Sequence, residues 1–187
     1  MKKRCHWVTN DPLYIAYHDE EWGVPVYDDA TLFEFLVLET FQAGLSWITI
    51  LKKRENFREA FDQFDYKKIV NYDDAKFQEL INNAGIIRNK LKVKATISNA
   101  DAFIKVQEEF GSFSKYIWAF TDGKPIKNAF ERREDVPATT PLSDKISKDL
   151  KKRGFKFVGS TVIYAFMQAT GIVNDHTTDC FRYNECN

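Results

Sequence analysis

Cysteine is scarce, with three residues in a chain of 187. So small and odd a number makes a poor disulfide framework and suits metal binding in a reducing compartment better. Long apolar runs are missing, and no stretch approaches the ~18 residues of a membrane span. The opening Met1-Lys2-Lys3-Arg4-Cys5-His6-Trp7 is basic but has no apolar segment behind it, so a signal peptide is not expected. Net charge is missing too: 27 Lys and Arg balance 27 Asp and Glu, and nothing global draws the chain to polyanions. Internal repeats, low-complexity segments and alternating strand pairs are not found. The expectation is a single domain over residues 1–187, in the cytoplasm, with no membrane partner.

What is there begins at the two ends. The chain has three His and three Cys, and four of those six form two pairs: Cys5 and His18 as Cys-x12-His, His176 and Cys180 as His-x3-Cys. Both half-sites suit one tetrahedral zinc ion, for which thiolate and neutral imidazole are preferred ligands. Four protein ligands leave no open position, so such an ion is structural. It would clip the two ends together, making residues 1–25 and 172–187 a zinc-stapled subregion.

The chain is 44% hydrophobic and carries 16 Phe, ample for a core, and its periodicity is helical throughout, an all-α class. Asp28-Asp29-Ala30-Thr31 caps a helix running through Phe41 with apolar residues on almost every side, so it is buried. Gly44 breaks it and Ser46 caps the next. Asn56 opens a short piece with Phe57, Phe61 and Phe64; Asp73-Asp74 opens another that Gly85 closes. The pattern resumes from Asn89 to Gly111, and Ser112 or Ser114 starts a short helix through Phe120. Residues 121–141 read as a long surface connection. Ser143 caps a basic helix ending at Gly154, and Ser160 caps the last, ending at Gly171.

Several residues could carry chemistry. Glu39 lies in the most apolar helix, where a carboxylate must face a cavity, a partner or the surface. Leu45 stands on the Gly44 turn, either as a core anchor or as a wedge for a base stack. Trp7, Tyr14, Tyr17 and Trp22 surround the first ligand pair, either as packing or as a slot for a flat, electron-poor ring. Basic residues cluster at Lys52, Lys53, Arg54 and Arg58, at Arg88, Lys90, Lys92 and Lys94, and at Lys148, Lys151, Lys152, Arg153 and Lys156. They are solvated helix faces or a surface for phosphates.

Longer strings are more specific. Cys5-His6-Trp7-Val8, the run Asp11 to Pro25, Gln42-Ala43-Gly44-Leu45-Ser46-Trp47 through Arg54, Ala84-Gly85-Ile86-Ile87-Arg88, Lys151 to Gly159 and Asn174-Asp175-His176 closely resemble the bacterial 3-methyladenine DNA glycosylase I family. The resemblance spans Cys5 to Cys180. It implies a zinc-containing helix-hairpin-helix glycosylase that flips 3-methyladenine out of alkylated double-stranded DNA and hydrolyses its N-glycosidic bond without cutting the strand. It implies zinc on Cys5, His18, His176 and Cys180, and Glu39 in a base pocket with Trp7, Tyr14, Tyr17 and Trp47. Gly44 and Leu45 would form the plug, free 3-methyladenine would be the product, and the protein would be a monomer found with the nucleoid. The Leu-Pro-Gly-Val-Gly hairpin of many relatives is not found; Ala84 to Lys90 is the hairpin candidate, and Asp175, beside His176, reads as a brace or cap rather than a catalytic acid. The alternative is a zinc-containing helical module that binds DNA without chemistry.

Overall fold

The computed structural model describes residues 1–186. Among these, helices dominate: α1 Pro12–Glu20, α2 Asp29–Gln42, α3 Trp47–Ala60, α4 Tyr66–Ile69, α5 Asp74–Ile81, α6 Lys90–Phe110, α7 Phe113–Trp118, α8 Pro141–Lys152 and α9 Ser160–Ala169. Side-chain caps fix most starts. Asp11 accepts from the Leu13 amide, with Pro12 at the first helical position; Asp28, Asp73, Asn89 and Ser112 do the same for Thr31, Lys76, Lys92 and Lys115.

The apolar pattern of α2 has the expected consequence. Leu32, Phe33 and every residue from Phe35 to Phe41 are buried, and α3, α6, α7 and α9 pack around them. Phe33 meets Phe103 of α6 at 5.1 Å between ring centres, and Phe41 meets Phe57 of α3 at 4.9 Å. Each such side chain stabilises the fold by about 1.5–3 kcal/mol. The buried apolar side chains form one continuous cluster from Tyr14 to Val173. No helix among the described residues is long and apolar enough to cross a membrane.

Some expectations fail, each for a local reason. A pair of two-residue strands exists, β1 Ile126–Lys127 parallel to β2 Val173–Asn174, too short to show an alternating pattern. Asn56 does not open a helix but lies within α3, since its run from Trp47 holds no breaker. Phe61 and Phe64 come after α3 in a turn where Asp62, Gln63 and Phe64 all have positive φ. Asn82, not Gly85, closes α5, and Thr170, not Gly171, closes α9. Ser143 is the third residue of α8: Thr140 caps, Pro141 comes next, and Ser143 returns a bond to the Thr140 amide in a capping box. Gly159, not Ser160, precedes α9.

The two ends of the chain meet. The Phe181 amide donates to the Lys3 carbonyl at 2.9 Å, Lys3 pairs with Asp179, and the Val26 amide donates to Thr170 at 2.9 Å. These bonds set the segment before α1 against the C-terminal segment, and the segment after α1 against the end of α9.

Candidate active site and metal centre

Cys5 precedes α1, His18 lies in its last turn, and His176 and Cys180 come after β2. All four are buried, and their donor atoms lie within 4.8 Å of one another. Cys5 Sγ is 3.4 Å from His176 Nδ1, and Cys180 Sγ is 3.5 Å from both His176 Nδ1 and His18 Nε2. A tetrahedral zinc with sulfur and nitrogen ligands has ligand–ligand edges of roughly 3.4–3.8 Å. The outer ring nitrogens complete the fit. His18 Nδ1 lies 2.8 Å from Asp19 Oδ1, and His176 Nε2 lies 2.9 Å from the Trp22 carbonyl. Each outer nitrogen faces an acceptor and so carries the proton, leaving the inner lone pair for a cation. Arg4 holds Asp19 in turn, at 2.7 and 2.8 Å.

The thiols respond to each other. Hydrogen bonding from Cys5, with His176 and His18, pulls the Cys180 thiol well below its ordinary range, while Cys180 and burial push Cys5 up. Gly23 has φ +82°, and a side-chain carbon there would come within 2.9 Å of His176 Nε2, so the ring's seat requires glycine. The buried Cys186 lies behind His176, its Sγ 3.8 Å from Nε2, outside the four-ligand group.

Next to this cluster opens a cavity of about 370 Å³. Trp7, Tyr14, Tyr17, Glu39 and Trp47 all line it, as do Cys5, Gln42 and Asp175. Tyr14 and Tyr17 are three apart on α1 and share its inward face. Trp7 leans on Tyr14 at 5.0 Å, and Tyr17 on Trp47 at 5.6 Å. Glu39 comes from α2 and is 4% exposed. Burial pushes its carboxyl up to about 8, and no donor among the described residues bonds to it. The Tyr17 hydroxyl and the Trp47 indole N–H are buried without a partner. An orphaned donor costs about 1–3 kcal/mol. Their presence on the wall of a cavity suits a ligand with acceptors on its edge.

Asp175 does not brace a metal ligand. Its oxygens accept from Tyr164, from Gln168 Nε2 at 2.9 Å and from Asn128 Nδ2 at 2.7 Å. The braces are Asp19 and the Trp22 carbonyl. His6, Arg133, Val136 and Pro137 also line the cavity. The last three come from the irregular 121–141 connection, and no local signal in that stretch points to them.

Between α2 and α3 the chain turns at Gly44, whose φ of +80° favours glycine. Gln42 Nε2 donates to the Leu45 carbonyl at 2.8 Å, and the Leu45 amide donates to the Gln42 carbonyl at 2.8 Å. Leu45 is 37% exposed, so it is not a core anchor. Ser46 stands at the N-cap of α3 as expected, though its side chain bonds the Thr49 hydroxyl at 2.8 Å rather than a backbone amide.

The basic clusters separate. Arg54 is bound by Glu21 at 2.7 and 2.8 Å, Arg58 by Glu34 and Glu55, and Arg153 by Asp149 and Glu109. Arg88, Lys90, Lys94, Lys148, Lys151, Lys152 and Lys156 are exposed, and none forms an ion pair among the described residues.

Such a cavity defines a class first: a helical protein with an aromatic, polar-edged slot whose shape and unpartnered donors suit a flat ring. Comparison with known proteins then narrows it. The model of the methyladenine glycosylase family matches residues 7–183. The chain is 49% identical over 181 residues to the DNA-3-methyladenine glycosylase 1 of Escherichia coli strain K12, covering 97% of each. A crystal structure of a 3-methyladenine DNA glycosylase I superposes with a TM-score of 0.92 at 53% identity, covering 96% of this chain and 98% of that one. The 3-methyladenine DNA glycosylase I of Staphylococcus aureus, solved for its recognition of 3-methyladenine, superposes with a TM-score of 0.92 at 38% identity, covering 95% of both chains. This chain belongs to the methyladenine glycosylase family.

Proposed function

We propose that the chain excises 3-methyladenine from alkylated double-stranded DNA. The observation that carries this is Glu39, an unpartnered carboxyl buried in an aromatic cavity beside two orphaned donors. Methylation at N3 makes the nucleotide cationic. Extruding it from the stack costs a few kcal/mol. Trp7, Tyr14 and Trp47 offer π-faces, each cation contact contributing roughly 0.5–2 kcal/mol when desolvated. Glu39 loses its proton to face that cation as a carboxylate, and Tyr17 and Trp47 donate to the base edge. A neutral adenine gains much less from either. The bond between the sugar C1′ and N9 breaks with its electron pair going to the base, which leaves neutral. Water adds to C1′ and gives up a proton, leaving an abasic site in an uncut strand. No lysine lines the cavity, in keeping with hydrolysis rather than Schiff-base chemistry.

Cys5, His18, His176 and Cys180 would hold one zinc ion that is structural, stapling residues 1–25 to 172–187 within a single domain over 1–187, whose last residue, Asn187, lies outside the described residues. Leu45 on Gly44 would fill the gap left by the base. A helix-hairpin-helix would sit between α8 and α9 rather than at Ala84–Lys90. Gly159 leaves the first amides of α9 without a side-chain acceptor, ready for a phosphate, whereas Asn89 already occupies the start of α6. The exposed Lys151, Lys152 and Lys156 flank that connection. The protein would act as a monomer, in the cytoplasm with the nucleoid.

Incubation with methylated duplex DNA, then chromatography of the free bases, tests this. Released 3-methyladenine with intact strands supports it. Tight DNA binding with no base released would instead identify a binding module without chemistry.

A further inference from the structure

One buried cation takes no part in the scheme above. Lys92, the third residue of α6, is 8% exposed and lacks an acidic partner among the described residues. Its Nζ donates to the Phe41 carbonyl at 3.3 Å and the Ala43 carbonyl at 3.5 Å. Those carbonyls lie where α2 ends and the Leu45 turn begins. The contact is favourable, since the last carbonyls of a helix are unpaired and carry the negative end of its dipole. Burial still opposes the charge and lowers the lysine's pKa, so an apolar side chain would fill this place at less cost.

We infer that Lys92 is a positioning residue for the Leu45 turn, holding it at the height and angle that insertion into a base stack needs. This rests on the plug reading of Leu45. Ala43 is the first residue to leave α2, with ψ near 123°, and Gly44 comes next at φ +80°. Such a hinge is free to swing unless its carbonyls are held. Gln42 ties the far side through the Leu45 carbonyl, and Lys92 ties the near side. The lysine backbone is itself fixed, its amide donating to Asn89 Oδ1 at 3.1 Å and its carbonyl accepting from Thr96 at 2.8 Å. Arg88 and Lys90, exposed and unpaired, lie within four residues of Lys92. A phosphate held there would thus be linked through one side chain to the turn.

Lys92→Met keeps the length and removes both bonds; Lys92→Arg keeps charge and donors. Excision from methylated duplex by Lys92→Met should fall about tenfold, the scale of loss expected when a positioned group drifts by under an ångström. Affinity for free 3-methyladenine and excision from methylated single strands should stay within about twofold, because no stack must be filled there. In a Leu45→Ala background the Lys92→Met change should add less than about twofold, since both remove one action. Lys92→Arg should recover most of the duplex activity. If Lys92→Met does not fold, Lys92→Gln carries the same comparisons. Equal losses on duplex, single strand and free base, or additive losses with Leu45→Ala, overturn the inference in favour of a purely structural cap. Selective duplex loss for Leu45→Ala with none for Lys92→Met overturns it while sparing the plug. A Leu45→Ala change that never separates duplex from free base removes the plug reading itself.

Discussion

At the scale of the residue, Glu39 decides most. Burial raises its carboxyl from 4.5 to about 8. A raised folded-state pKa means the native protein holds a proton that the unfolded chain gives up between these values. Stability is therefore unaffected below about 4.5, declines as pH rises, and levels off above about 8. Glu39→Gln abolishes that decline, so its melting temperature should draw ahead of wild type as pH rises toward 8 and then keep a constant lead. Calorimetric scans across pH check this, and parallel curves would contradict it. Leu45→Ala belongs to the same scale. It should weaken binding to lesion-containing duplex while leaving affinity for free 3-methyladenine nearly intact, as read by quenching of Trp7 and Trp47 fluorescence. The residues of the cavity wall were legible in the sequence only partly. Glu39 stood out because a charge in an apolar helix needs a reason. Arg133 did not, because only the path of an irregular loop brings it to the cavity.

At the scale of the element, the helices were legible because caps and breakers are local chemistry. Asp28, Asp73, Asn89 and Ser112 announce their helices, and each bond is found. Ser143 misled because a capping box has polar residues at both of its ends and Pro141 decides which one caps. The strand pair was not legible, since pairing between residues 126 and 173 is a property of the whole fold. The Cys5, His18, His176 and Cys180 group was legible as spacing, though the bracing of its histidines by Asp19 and the Trp22 carbonyl was not. His176→Ala should lower the melting temperature by about 5–10 °C, a few kcal/mol for a domain of this size. Chelation of wild type should have a similar effect and expose residues near Lys3 and Asp179 to protease. Purified protein without stoichiometric zinc would contradict the clip. The α8–α9 connection makes a further prediction: Lys151→Glu with Lys152→Glu should weaken DNA binding and reduce its salt dependence by about one ion per lost phosphate contact.

At the scale of the whole molecule, one fold serves two needs. α2 builds the core with its apolar sides and lends a single carboxyl to the cavity. A metal on Cys5, His18, His176 and Cys180 would hold Trp7, α1 and the residues after β2 around that carboxyl, so the group that would join the two ends also borders the wall. With net charge near zero, DNA attraction under the proposed function would rest on exposed lysines and Arg88 rather than on the molecule as a whole. Under the proposed function, Glu39 in its aromatic cavity reads and releases a cationic base. The most direct test is single-turnover release of 3-methyladenine from methylated duplex, wild type against Glu39→Gln, with free bases separated by chromatography. Release should be slowed roughly 10- to 100-fold in the variant, the weight of a hydrogen bond to a charged group. Equal rates from two well-folded proteins would contradict the claim.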